Sequence, residues 1–281
     1  PYSGSMDALQ KVYAFYESYR GEKRVIGKSV CGQPLVALFA GEKAYPQLLF
    51  QYAVHAREWV TALLALEHIR RGVPRGGCWF LPCTNPDGAA LALRGEAFLQ
   101  TLPRERAEWL RRIGGGGFRL WKANANAVDL NVNFDADWGR GVQNVRAPAP
   151  ENYIGAAPFS EPETRALRDF TLEVSPDATV SYHTKGEEIY WHYGQTGERE
   201  ARDGALAEAL ARATGYAARR IAGSSGGYKD WCVQACGIPA FTIEAGRESA
   251  AHPLEEAELP QLLGANADVP AVLSEELWKT R

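Results

Sequence analysis

Residues 54–62 read VHAREWVTA, which sets His55, Arg57 and Glu58 into otherwise apolar sequence. An imidazole and a carboxylate three positions apart can be aimed at one point by a tight turn or the first turn of a helix. Two ligands of a metal ion need that convergence, although a mutual hydrogen bond would use the same pair. Zinc requires a third protein ligand, and the chain has five histidines. His183 has the best-matched surroundings, at the C-terminal end of the strand-like segment ATVSYH. His192 lies beyond it, His68 falls within an amphipathic helix, and His252 sits in a Pro-flanked loop. Two imidazoles and one carboxylate leave the fourth zinc position open to water, the arrangement of a hydrolytic rather than a structural site.

The elements around these residues place them at a crevice. PQLLFQYAV, upstream of His55, is apolar and β-prone, and TALLALEHIRR, downstream of Glu58, has a helical period. The pair therefore sits at a strand-to-helix junction, where open α/β sheets bind ligands. A helix at about 6–19 precedes strands at LVALFAG, LLFQYAV and GCWFLPC, and the turn NPDG follows at 85–88. PRERAEWLRRI is a helix, ended by the glycine loop 114–117. SEPETRALRDFTLEV opens with a capping pattern at Ser160 and Glu163, because that hydroxyl and carboxylate can satisfy first-turn amides. ATVSYH, EEIYWHY, a helix in REARDGALAEALARATGY, the loop AGSSGGYKDW, the strand PAFTIEAG and a closing helix at about 259–279 complete the chain. The pattern predicts one α/β domain over residues 1–281, with a central, mostly parallel or mixed twisted sheet and helices on both faces. GEKRVIGKS at 21–29 imitates a phosphate loop, but its glycines have the wrong spacing and no strand precedes it.

Composition narrows the partner. The chain has 281 residues, 46% of them hydrophobic, and a net charge of −3 without a long Lys/Arg block, which argues against nucleic acid or an anionic membrane. A small molecule or peptide is the expected partner. No apolar run approaches the roughly 18 residues of a membrane span, and residues 1–20 lack an export signal, so a cytoplasmic location is expected. Cys31, Cys78, Cys83, Cys232 and Cys236 are too sparse for a disulfide framework and fit a reducing compartment. Cys232 and Cys236 lack the second pair that a structural zinc site needs.

Several of these segments, in this order, resemble the zinc carboxypeptidase superfamily typified by carboxypeptidase A. HAREW is similar to its first metal motif and SYH to the strand bearing its last ligand. NPDG and SEPET match its turn and helix start, and FTIEAG matches the strand carrying its catalytic glutamate. The resemblance implies one zinc per chain held by His55, Glu58 and His183. It also implies that Glu244 takes a proton from the attacking water and returns it to the leaving amine, a role suited to a carboxylate beside a Lewis acid.

Departures from the family pattern bear on substrate. The Asn-Arg pair that grips a terminal carboxylate corresponds to Asn131 and Val132 in DLNVNF, and valine supplies neither charge nor a bidentate fork. The oxyanion-stabilising arginine corresponds to Lys122, which keeps the charge. The mobile substrate-covering tyrosine falls near Ala222, leaving Tyr228 or another residue to substitute. Lys229, next to Asp230 in SGGYKDW, stands where the family reads the substrate side chain, and a lysine there favours an anionic group. Arg57 is expected at the cleft, with Arg140, Lys185 and Arg247 as further contributors, and Glu187 and Glu188 as carboxylates able to receive an ammonium. DLNVNF, SEPET and SYHTKGEEIYW together resemble the bacterial γ-D-glutamyl-meso-diaminopimelate peptidase branch, which implies a peptidoglycan stem peptide or muropeptide as substrate. A conventional metallocarboxypeptidase, a zinc-dependent amidase of a small amino-acid conjugate and a non-catalytic binding module share parts of this pattern. A pure binding module would have no use for the three ligands plus Glu244.

Overall fold

Eight strands form one mixed sheet in the computed structural model, which describes residues 6–280. In chain order they are β1 (Lys23–Lys28), β2 (Pro34–Gly41), β3 (Gln47–Gln51), β4 (Gly77–Leu81), β5 (Ala178–His183), β6 (Glu188–Tyr190), β7 (Ala217–Arg219) and β8 (Ala240–Glu244). Their spatial order is β1-β2-β4-β3-β5-β8-β6-β7. The central four, β4-β3-β5-β8, are mutually parallel, while β2 and β6 join them antiparallel. β3, β4 and β5 read as near-continuous apolar runs because helices cover both of their faces.

Among the described residues, ten α-helices surround the sheet: α1 (Ala8–Ser18), α2 (Val60–Arg71), α3 (Pro86–Arg94), α4 (Glu96–Leu99), α5 (Arg104–Gly114), α6 (Pro162–Val174), α7 (Gly197–Thr214), α8 (Tyr228–Trp231), α9 (Leu259–Asn266) and α10 (Val269–Lys279). The period-2 alternation of each strand divides the core into two layers. Leu48, Phe50, Val180 and Tyr182 pack with α1, α2, α7, α9 and α10. Leu49, Trp79 and Leu81 face the other way, onto α6 and α8.

Three local expectations are corrected. Ser160 and Glu163 do not cap α6, whose N-cap is Glu161 without a side-chain bond. Ser160 Oγ donates to Glu161 instead, and Glu163 is buried, accepting from Val30 N at 3.1 Å and Asn124 Nδ2 at 3.1 Å. The closing helix is two helices, because Pro270 in the first turn of α10 cannot continue the hydrogen-bond ladder of α9. The end of AGSSGGYKDW is helical rather than loop, with α8 running into a π-turn at Cys232–Cys236. All five cysteines are free, and the imitation phosphate loop is mostly strand β1.

Candidate metal centre and catalytic cleft

The chain leaves β3 through a turn that aims His55 and Glu58. Ala53 adopts a positive φ of 48°, and its N–H donates to Thr61 Oγ1 at 2.9 Å, which ties the turn to the start of α2. Beneath the turn, Tyr52 stacks on Tyr182 with ring centroids 5.1 Å apart, so the ends of β3 and β5 are locked side by side. The Tyr52 hydroxyl donates to His68 Nδ1 at 2.7 Å, and His68 Nε2 reaches Asn266 O at 2.8 Å. His68 is thus a satisfied core residue, and its burial lowers its pKa to about 4.

His55, Glu58 and His183 come together at the C-terminal edge of the parallel strands. His55 Nδ1 lies 3.0 Å from Glu58 Oε1, and His183 Nδ1 lies 3.1 Å from Glu58 Oε2. The two Nδ1 atoms are themselves 3.1 Å apart. Two imidazole lone pairs facing one another at that distance repel unless a proton or cation sits between them, and the carboxylate adds negative charge at the same point. Among the described residues this is the one group of three or more His, Cys, Asp or Glu side chains with ligand atoms so convergent, all within 4.8 Å of one another. Two neutral nitrogens and a carboxylate suit zinc. Burial would raise the Glu58 pKa, but His55 and His183 outweigh it and hold the carboxylate well below its usual range.

Asp129, which the sequence reading did not single out, orients this group. Fully buried, it accepts from the backbone N–H of Asn131 at 3.0 Å and of Asn152 at 3.1 Å. Its Oδ1 is 3.2 Å from His55 Nε2, and its Oδ2 is 3.1 Å from Lys122 Nζ. A carboxylate behind an imidazole turns the ring's other nitrogen toward the metal position. Burial acts against the charge of Asp129, yet Lys122 and His55 keep it ionised.

Glu244 ends β8 in register with His183 on β5, so both side chains leave the sheet on the same face. It lines a cleft of about 510 Å³ together with His55 and Lys122. Burial raises its pKa to about 7, with His183 opposing and Glu58 reinforcing the shift.

Residues 9–265 match the zinc carboxypeptidase family. Gamma-D-glutamyl-L-diamino acid endopeptidase 1 of Lysinibacillus sphaericus is 31% identical over 274 residues, 91% of this chain and 67% of its own. The chain belongs to the zinc carboxypeptidase family. It is an enzyme, a zinc metallopeptidase. Human mast cell carboxypeptidase A is 26% identical over 196 residues, 61% of this chain and 42% of its own. In fold, the bovine thrombin-activatable fibrinolysis inhibitor superposes with a TM-score of 0.77 at 20% identity, covering 97% of this chain and 96% of that one. The murein-tripeptide amidase of Escherichia coli O157 gives 0.62 at 24%, covering 92% and 95%. The cofactor of the family is zinc, and the convergent His-Glu-His group is where this member can hold it.

Around that centre, this member of the family differs from expectation in several places. Lys229 lines the cleft but is not a lone cation, since its Nζ is 2.5 Å from Asp230 Oδ1 and donates to His192 O at 3.2 Å. The pair presents both signs of charge. Asn131 and Val132 also line the cleft, with Asn131 Oδ1 accepting from Tyr228 N at 3.1 Å. Tyr228 cannot replace the missing mobile tyrosine, because it is fully buried with its hydroxyl bonded to Thr171 Oγ1 at 2.8 Å. Arg57 is not a cleft-lining residue; its Nη1 faces Glu151 Oε2 at 3.5 Å and Leu120 O at 3.4 Å. Arg140 and Arg247 are exposed outside the cleft, whereas Lys185 lines it. Glu187 and Glu188 also lie outside the lining, and Glu188 is held by Arg219 and Tyr190. His252, expected only as a loop residue, does line the cleft. No helix is long and apolar enough to cross a membrane among the described residues.

Proposed function

We propose that this peptidase hydrolyses an amide bond in peptidoglycan stem peptides, the γ-D-glutamyl-meso-diaminopimelate bond. His55, Glu58 and His183 would hold zinc, which when bound polarises a carbonyl and makes water acidic near neutrality. Glu244, at the strand end beside them, takes the proton of the attacking water and delivers it to the leaving amine. Lys122, held by Asp129, supplies positive charge where the carbonyl oxygen becomes anionic. The observation that carries the substrate reading is the buried Lys229–Asp230 pair in a cleft where Val132 offers no charge for a terminal carboxylate. A diaminopimelate side chain ends in an ammonium and a carboxylate, and the pair offers a partner to each. Asn131, beside them, offers its amide N–H to the same residue. The names of the Lysinibacillus endopeptidase and the Escherichia coli amidase support the same class of substrate.

The test is to incubate the zinc-loaded protein with defined muropeptides and to identify the cut bond by mass spectrometry. Cleavage between glutamate and the diamino acid is expected. A peptide ending in meso-diaminopimelate should be cut about ten- to a hundredfold faster, in kcat/KM, than one ending in lysine, since a charge-assisted hydrogen bond to the extra carboxylate contributes roughly 1.5–3 kcal/mol. Release of C-terminal residues from ordinary peptides, with muropeptides left intact, would reject the proposal in favour of a conventional carboxypeptidase.

A further inference from the structure

His252 lines the cleft with one ring nitrogen unpartnered. Its Nδ1 is buried and has no hydrogen-bond partner, and the same is true of Thr184 Oγ1, another cleft-lining group. The contrast with His68 is instructive, since both nitrogens of that core histidine are satisfied. A buried polar atom without a partner is a cost to the fold unless a ligand completes it. His252 is not a further metal ligand, because the convergent group among the described residues contains only His55, Glu58 and His183.

The loop that carries His252 is firmly held. Leu254, two residues on, is buried against Gly246, where an added Cβ would come within 2.5 Å of its Cδ1 and where φ is +95°. Gly246 O accepts from Gly186 N at 2.9 Å, and Lys185 Nζ donates to Glu248 O. These bonds lace residues 184–186 to residues 246–254, forming one wall from Thr184, Lys185 and His252. His55 and Glu244 line the same cleft as Thr184, Lys185 and His252, so this wall and the metal centre face one space. Lys229 Nζ has a different set of neighbours, namely Asp230, His192 and Tyr193. The cleft therefore has two polar regions, and the Lys229–Asp230 region is assigned to the leaving diamino acid.

We infer that His252 is a specificity-determining residue for the acyl half of the substrate, where with Thr184 and Lys185 it receives a carboxylate lying close to the scissile carbonyl. This rests on the peptidoglycan reading, in which a γ-linked glutamyl residue carries a free α-carboxylate three carbons from the carbonyl under attack. The imidazole Nδ1 and the hydroxyl have no partner of their own, and the Lys185 ammonium, which donates to Glu248 O and lies 3.6 Å from the Glu248 carboxylate, keeps a further N–H for that anion.

The experiment compares two substrates, acyl-γ-D-glutamyl-meso-diaminopimelate with the α-carboxylate free and the same compound with an α-carboxamide. Wild type should prefer the carboxylate about tenfold or more in kcat/KM. His252→Phe should lose most of that preference, mainly through KM, with the carboxamide little affected. His252→Asn, which keeps an N–H near the Nδ1 position, should restore part of it. Melting temperature and zinc content should be unchanged in both variants. Calorimetric binding of an N-acyl-D-glutamine with a free α-carboxylate, measured against its α-carboxamide analogue, gives a readout without turnover, and the difference should vanish in His252→Phe. Equal discrimination by wild type and His252→Phe, or equal loss on both compounds, overturns the inference. If neither substrate is cut by wild type, the peptidoglycan reading fails, while the binding difference still decides the role of His252.

Discussion

A carboxylate at the end of a central strand is costly to shield from water, and Glu244 is half-buried beside another carboxylate, Glu58, and across the register from Glu188. Those surroundings raise its pKa to about 7. For a structural residue this would be a pure cost; for a group that takes a proton and gives it back, surroundings that favour the protonated form help it hold the proton between the two transfers. Glu244→Gln keeps the shape and removes the proton acceptor. Its kcat should fall by roughly two to four orders of magnitude, with zinc content and melting temperature retained. Near-normal turnover by the zinc-loaded variant would remove Glu244 from the chemistry. While the role of Glu244 came from the resemblance of FTIEAG to the family's strand, the strand ends and the turn that carry His55, Glu58, His183 and Glu244 were legible in the sequence from the apolar runs beside them. Asp129 was not, since it works through loop residues brought behind His55 by backbone bonds from Asn131 and Asn152. His252 was illegible for a similar reason, as only the Gly246–Leu254 packing turns its loop into the cleft.

At the scale of elements, the site depends on holding the ends of β3, β5 and β8 level. The parallel register pairs His183 with Glu244, and the stacked Tyr52 and Tyr182 fix the neighbouring strand ends. His68 then clamps Tyr52 and reaches Asn266 on α9. That clamp needs a neutral imidazole. With a pKa of about 4 in the fold against 6.5 when unfolded, His68 binds its proton more readily in the unfolded chain. Its stabilising contribution is complete above pH 6.5 and is lost as pH falls from there toward 4, by roughly 3 kcal/mol in all. His68→Leu should therefore be less stable than wild type at pH 7 in chelator, and the gap in urea unfolding should narrow toward pH 5. A gap that stays constant over that range would show that His68 does not titrate with folding. The strands of this layer were legible from apolar runs, and the helices from their period. The capping pattern at Ser160 misled because Glu163 is drawn into a buried cluster with Val30 and Asn124, a long-range demand that a four-residue motif does not display. The break between α9 and α10 was hidden for the opposite reason, as both helices continue the same apolar period across it.

For the molecule as a whole, the metal centre closes the edge of the sheet where the core layers meet. Without a cation, two imidazole nitrogens 3.1 Å apart share a buried pocket with Glu58, and the cost of that arrangement is borne by the entire fold, since the ligands come from the β3–α2 junction and from β5. Zinc binds the folded chain and finds no preformed site in the unfolded one, so it stabilises by mass action: at free zinc a thousandfold above Kd the gain is about 4 kcal/mol. In a chain of this size each kcal/mol moves the melting temperature by roughly 2 °C. Removing zinc with a chelator should thus lower the melting temperature of wild type by about 8 °C, as a single transition, because one sheet unites both core layers. The His183→Ala protein, lacking one ligand, should melt at the same temperature with and without chelator. A wild type indifferent to chelation, or a His183→Ala protein that responds to it as strongly as wild type, would place the zinc elsewhere.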